Sequence, residues 1–363
     1  MLGSAFRAVA VACAALAATA SANAPGNVGT CYSPFHSEAY PLGDASYANV
    51  GAIRESIDND LKQLSKHFTH VRTYYSQYVG IDIAPLAASH GLKLYLGVYL
   101  SGESFGKNEV AAAVRAVKEH PETVEAIMVG SENLIDFKAN ADTILNKVNE
   151  IKAQLGADLA GKVKFGTAQR VNEYMDDKFN AETAKLAAGL DILGVNIYPF
   201  FTNSYNPAEP AKLLDQMWKN VAAKFPAGKL CVTETGFPTD GSNPSMAPNV
   251  KPSLENAAGY YEGLLNWTPQ GAEGSTKFWF QAYDLRADDK SMGVDYESHF
   301  GFFTADGQGK KPNFPYPKDG SGFVPKANTT STVTPAPGAP VVPGVSSPAP
   351  PASTPPRRPT RLW

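Results

Sequence analysis

Short apolar runs recur along the chain: Val28 to Phe35, His70 to Ser76, Leu92 to Leu100, Val124 to Glu132, Val163 to Gln169, Ile192 to Phe200, Leu230 to Phe237 and Thr276 to Asp284. They are apolar on both faces rather than alternating, the pattern of parallel strands covered on both sides. Segments of helical spacing separate most of them, such as Val110, Ala113, Val114 and Val117, or Ile144, Val148, Ile151 and Leu155, or Leu214, Met217, Trp218, Val221 and Phe225. Strand and amphipathic helix in repeated alternation predict the α/β class and a (β/α)8 TIM barrel. An open doubly wound sheet would give a similar pattern. Against it, no Gly-rich phosphate loop follows the first run, and polar and aromatic residues gather at the carboxyl ends of many runs rather than at one switch point.

Both ends of the chain break the pattern. Arg7 precedes an uncharged, Ala-rich stretch ending in Ala22-Asn23-Ala24, which reads as a secretory signal peptide over residues 1–24. That stretch is short and Ala-rich for a membrane anchor, and no later segment approaches the roughly 20 apolar residues of a spanning helix. From Val324 to Trp363, Pro, Ser, Thr and Ala dominate without periodicity, so residues 324–363 are expected to form a disordered tail. Residues 25–323 remain as one catalytic domain of about 300 residues, an ordinary size for this barrel. Asn266-Trp267-Thr268 and Asn328-Thr329-Thr330 are glycosylation sequons, with Asn328 in the tail the preferred acceptor.

A net charge of −3 and no basic patch with interleaved aromatics exclude nucleic acid as an expected partner. No Cys/His cluster has zinc spacing, so neither a metal nor a cofactor is expected. Loss of a leader removes Cys13 and leaves Cys31 and Cys231, both inside strand-like runs. An oxidising compartment would permit a disulfide, but two free, buried thiols are the preferred reading.

Two runs end in a glutamate: Ala126-Ile127-Met128-Val129-Gly130-Ser131-Glu132 and Leu230-Cys231-Val232-Thr233-Glu234. In a closed parallel barrel the strand ends share one face, so carboxylates of the fourth and seventh strands would meet in one cleft. Paired carboxylates across a glycosidic bond divide the work, one protonating the leaving oxygen while the other attacks or activates water. Arg72 and Tyr74 close the second run, and Asn196, Tyr198 and Phe201 follow the sixth. Ser131 and Asn133 flank Glu132. Tyr32, Tyr74, Tyr198, Phe201, Phe237 and Trp279 are candidates for sugar stacking and hydroxyl contacts.

At these residues the chain resembles glycoside hydrolase family 17, the β-1,3-glucanases, and particularly its secreted fungal cell-wall members. Val129-Gly130-Ser131-Glu132 is similar to the acid/base strand and Thr233-Glu234-Thr235-Gly236-Phe237-Pro238 to the nucleophile motif, where Trp is usual at the position of Phe237. Val71-Arg72-Thr73-Tyr74, Val195-Asn196-Ile197-Tyr198-Pro199 and Glu297-Ser298-His299-Phe300-Gly301 fit further motifs, and the match runs from Val28 to about Phe303. The resemblance implies a retaining enzyme with Glu132 as acid/base and Glu234 as nucleophile, and adds Glu297 to the candidate substrate contacts. It implies a secreted or cell-wall monomer acting on β-1,3-glucan, by hydrolysis or by transglycosylation. A non-catalytic glucan-binding wall protein is the reading from another class. Two departures stand out: Ser131 replaces the Asn that precedes the acid/base glutamate in many members, and Phe280-Gln281-Ala282-Tyr283-Asp284 leads into Lys290 without the family's Glu-rich run ending in Trp-Lys.

Overall fold

The computed structural model describes residues 28–43, 48–100, 103–135 and 139–310. The expectations placed on residues 1–24 and 324–363, Asn328 included, lie outside them. All eight apolar runs form strands of one parallel sheet: β1 Val28–Tyr32, β2 His70–Thr73, β3 Lys93–Val98, β4 Val124–Ser131, β5 Lys164–Arg170, β6 Ile192–Asn196, β7 Leu230–Glu234 and β8 Lys277–Trp279. Neighbours in sequence are neighbours in the sheet, and β8 pairs with β1 through Val28 to Lys277 and Thr30 to Trp279. A parallel bridge from Thr235 to Trp279 joins the end of β7 to β8 and completes the circle. The expected barrel is therefore closed, and the open-sheet alternative is excluded.

Helices follow the strands as the spacing predicts. Glu103–Glu119, Ala141–Leu155 and Lys212–Ala222 carry the three apolar stripes, and Val50–Leu64 and Leu254–Asn266 fill two more crossovers. Three of them start at a side chain that accepts a first-turn N–H: Asn49 from Ala52, Asn140 from Thr143 and Ser253 from Asn256. Among the described residues no helix is long and apolar enough to cross a membrane.

Alternation along each strand sends one residue into the barrel and the next toward the helices. On β1 the Cys31 Sγ lies 3.4 Å from the carbonyl of Thr233 across the barrel, while the Tyr32 hydroxyl donates to Asp60 on the helix Val50–Leu64 at 2.8 Å. Cys31 and Cys231 are both free and buried, in agreement with the preferred reading. Burial pushes their thiols up, to about 11 and about 12, so neither is a nucleophile near neutral pH.

Candidate active site

Each of the two glutamates is delivered by a local irregularity at a strand end. The ladder between β4 and β5 shifts register between Met128 and Ser131, and here Gly130 takes φ +75° and Glu132 φ +54°. Gly130 is required twice over, because a Cβ there would stand 2.4 Å from Asn133 Oδ1. That same oxygen accepts the Ser131 N–H at 2.9 Å and fixes the turn that aims Glu132. The β6 to β7 ladder also shifts, between Val195 and Asn196, which sets Asn196 opposite Glu234. Shifts of this kind re-aim side chains at the rims of barrels.

Glu234 is buried, with 1% of its surface exposed, and is surrounded by donors. Arg72 Nη1 donates to its Oε1 at 2.7 Å, the Tyr74 hydroxyl to the same oxygen at 3.1 Å, and the Tyr198 hydroxyl to Oε2 at 2.7 Å. Arg72 is equally buried, and its other contacts tie three strands together: Nη1 to the carbonyl of Thr233 at 3.3 Å and Nη2 to Ser131 Oγ at 3.2 Å. Its guanidinium also lies over the Tyr74 ring, 4.8 Å from the centroid. Burial alone would weaken the Arg72 charge, but Glu234 and then Tyr74 push its pKa above the ordinary arginine range. Glu132 is held differently. It is partly exposed, and the neutral amide of Asn196 donates to its Oε1 at 2.7 Å. Thr233 Oγ1 in turn donates to Asn196 Oδ1 at 2.8 Å, which fixes the orientation of that amide.

Both carboxylates open into one cleft, whose lining includes Ser33, Phe35, Tyr75, Phe280 and Gln281. Phe35 and Tyr75 form an edge-to-face pair at 6.1 Å, and Tyr75 continues to Tyr99 at 4.9 Å, giving the cleft an aromatic wall. None of Phe35, Tyr75 and Tyr99 was a candidate sugar contact in the sequence, because they fall just beyond strand ends and read as ordinary core aromatics. The one available signal was their nearness to strand ends.

Of the residues expected to touch sugar, Tyr74, Ser131, Glu132 and Glu234 line the cleft, and Arg72, Asn196 and Tyr198 support the two carboxylates from beside it. Phe201 is partly exposed and lies tilted beside Tyr198, with ring centroids 5.8 Å apart. Asn133 shapes the turn under Glu132, and Glu297 is buried in the short turn Asp295–His299 outside the cleft lining. Three aromatics are elsewhere. Tyr32 points outward to Asp60, Trp279 packs on Tyr261 at 5.0 Å, and Phe237 on Phe200 at 5.0 Å, all of them fully buried. The reason is the two-residue period: Cys31 and Phe278 take the inward positions on their strands, so Tyr32 and Trp279 must face the helices. Among the described residues no group of three or more His, Cys, Asp and Glu side chains is arranged to hold a metal.

A closed parallel barrel that presents glutamates from its fourth and seventh strands in one cleft has the architecture of a glycoside hydrolase. The sequence profile of the BtgE/BtgC glycoside hydrolase domain matches residues 29–301, and the chain belongs to that family. It is 32% identical over 270 residues to a glucan 1,3-beta-glucosidase of Arthroderma benhamiae, covering 71% of this chain and 82% of that protein. It is 26% identical over 272 residues to the probable beta-glucosidase btgE of Aspergillus clavatus, covering 70% of this chain but 45% of that longer protein. Among solved structures, an active-site mutant of the β-1,3-glucanosyltransferase of Rhizomucor miehei, in complex with laminaritriose, matches with a TM-score of 0.59 at 20% identity, covering 80% of this chain and 97% of that one. An endo-laminarinase from Formosa matches with a TM-score of 0.62 at 17% identity, covering 78% and 84%. At these identities the structural likeness is one of fold, and it agrees with the barrel expected from the resemblance to family 17.

Proposed function

We propose that this chain is a secreted, retaining glycoside hydrolase that cleaves β-1,3-linked glucan, with Glu234 as nucleophile and Glu132 as acid/base. The observation that carries the assignment is the unequal support of the two carboxylates. Glu234 is buried against a cation and two hydroxyl donors, which favour a charged oxygen. Glu132 is partly exposed and accepts from the neutral amide of Asn196, in contact with the open cleft through which a proton can be gained and lost. In the first step a Glu234 oxygen bonds to the anomeric carbon as the glycosidic C–O bond breaks, and the departing oxygen takes the Glu132 proton. In the second, water attacks the same carbon, Glu132 takes its proton and the Glu234 ester is released. The walls formed by Phe35, Tyr75 and Phe280 offer apolar faces for pyranose rings. The β-1,3 linkage is supported by the names of the similar proteins, and secretion by the signal-peptide pattern of residues 1–24. The test is product analysis on laminarin, cellulose and mixed-linkage glucan. Release of oligosaccharides from laminarin in preference to cellulose supports the reading, and turnover confined to cellulose contradicts it.

A further inference from the structure

Gln281 lines the cleft with an amide whose chemistry the steps above do not use. It stands two residues beyond the end of β8, next to the catalytic strand: the Phe280 N–H donates to the Thr235 carbonyl at 2.7 Å, one residue beyond Glu234. Its backbone is fully committed, the N–H to Phe300 and the carbonyl to the Phe302 N–H, at 3.0 and 2.8 Å. Its side chain lines the cleft with Glu132 and Glu234 although only 5% of the residue is exposed. The side-chain amide makes no hydrogen bond to any other described residue. This contrasts with the polar groups around it. Arg72, Tyr74, Tyr198 and Asn196 each donate to one of the two carboxylates.

An amide whose residue is almost wholly enclosed, and which meets no protein partner, keeps its hydrogen-bonding capacity for what enters the cleft. The amide offers a carbonyl acceptor and an NH2 donor in one plane. Adjacent equatorial hydroxyls of a pyranose offer the matching donor and acceptor. A carboxylate in this place would instead set a second negative charge in the cleft that holds Glu234, competing for the field of Arg72. We propose that Gln281 is a specificity-determining residue that binds a vicinal hydroxyl pair of the glycosyl unit held against Glu234, as a neutral bidentate partner. The inference rests on the glucan-cleaving reading of the cleft and names one of its sugar contacts.

The test uses Gln281→Met, which keeps the length of the side chain and removes both hydrogen-bonding groups, with Gln281→Glu as a second variant. On laminarioligosaccharides kcat/KM of Gln281→Met is expected to fall about 10- to 100-fold, while the melting temperature of the free enzyme stays the same, because no hydrogen bond within the protein has been removed. Aryl β-glucosides deoxygenated at the 2-, 4- or 6-position locate the contact. The wild-type enzyme should lose rate on the analogue lacking the bound hydroxyl, and Gln281→Met should lose nothing further on it. Gln281→Glu should bind substrate with a KM that rises with pH as its carboxyl ionises. A drop in melting temperature with unchanged deoxy-sugar profiles would assign Gln281 a structural role and overturn the proposal. Absence of laminarin turnover by the wild-type enzyme would instead overturn the glucan reading on which the proposal rests, so the two failures are distinguishable.

Discussion

At the scale of single residues, the site is organised by Arg72. A guanidinium with 1% exposure donates to Glu234, to the carbonyl of Thr233 and to Ser131, so one side chain orients the proposed nucleophile and braces the strand that carries Glu132. Removing one partner of a buried ion pair leaves the other uncompensated, at a cost of about 3–5 kcal/mol. Arg72→Met is therefore expected to lower stability by an amount in that range in chemical denaturation, and the added change Glu234→Gln should restore part of it. Additive losses in the double variant would show that the two side chains are not coupled. Asn196→Ala tests the other carboxylate. It removes the donor to Glu132 and leaves Thr233 Oγ1 without its acceptor, and a fall in kcat of about 10- to 100-fold with little change in KM is expected. A change confined to KM would mean that Asn196 binds sugar and does not hold Glu132.

At the scale of elements, two connections decide where the chemistry sits. The end of β4 turns on Gly130, whose φ of +75° and lack of a Cβ let Asn133 Oδ1 reach the Ser131 N–H. Gly130→Ala is expected to destabilise the protein by about 1–3 kcal/mol and to lower kcat as well, since the same turn aims Glu132. Wild-type kinetics in that variant would show that the turn is not needed for aim. The second connection follows β2, where Glu109 from the helix Glu103–Glu119 accepts the N–H groups of Ser76 at 2.9 Å and Tyr99 at 3.2 Å and the amide of Gln77 at 3.2 Å. It thereby holds the loop behind the aromatic wall. Burial pushes its carboxyl up to about 7, with the three donors pulling the other way. The folded protein then keeps a proton that the unfolded chain has lost between pH 4.5 and about 7, so this group's contribution to stability declines as pH rises through that window, by about 3 kcal/mol in all. In melts across that range, the stability of the wild type relative to Glu109→Gln should fall with rising pH. Parallel curves would place the Glu109 pKa near its ordinary value.

The barrel was legible because its signal is repeated and local: eight apolar runs of strand length separated by helical stripes admit few topologies, and all eight are strands of the closed sheet. The two glutamates were legible for the same reason, as the polar residues that end apolar runs. What escaped was orientation. Tyr32, Trp279 and Phe237 stand at or near strand ends as the sequence suggested, but the two-residue period turns Tyr32 and Trp279 toward the helices, and Phe237 packs against Phe200 behind the cleft. Whether an inward or an outward position falls on a given residue depends on strand registers such as the shifts at Met128 to Ser131 and Val195 to Asn196, which no local pattern announces. The wall of Phe35, Tyr75 and Phe280 escaped because loop conformation brings it to the cleft.

For the whole molecule, the central claim is that closing this barrel makes Glu234 a nucleophile that bonds to the sugar while Glu132 manages the proton. Inactivation with a 2-deoxy-2-fluoro laminaribiosyl fluoride, followed by proteolysis and peptide mass spectrometry, tests it directly, because the fluorinated intermediate forms faster than it hydrolyses. The account predicts one stoichiometric glycosyl label on Glu234 in the wild type, and no label in Glu234→Gln. A label on Glu132, or an unlabelled active enzyme that releases product of inverted anomeric configuration, would contradict it.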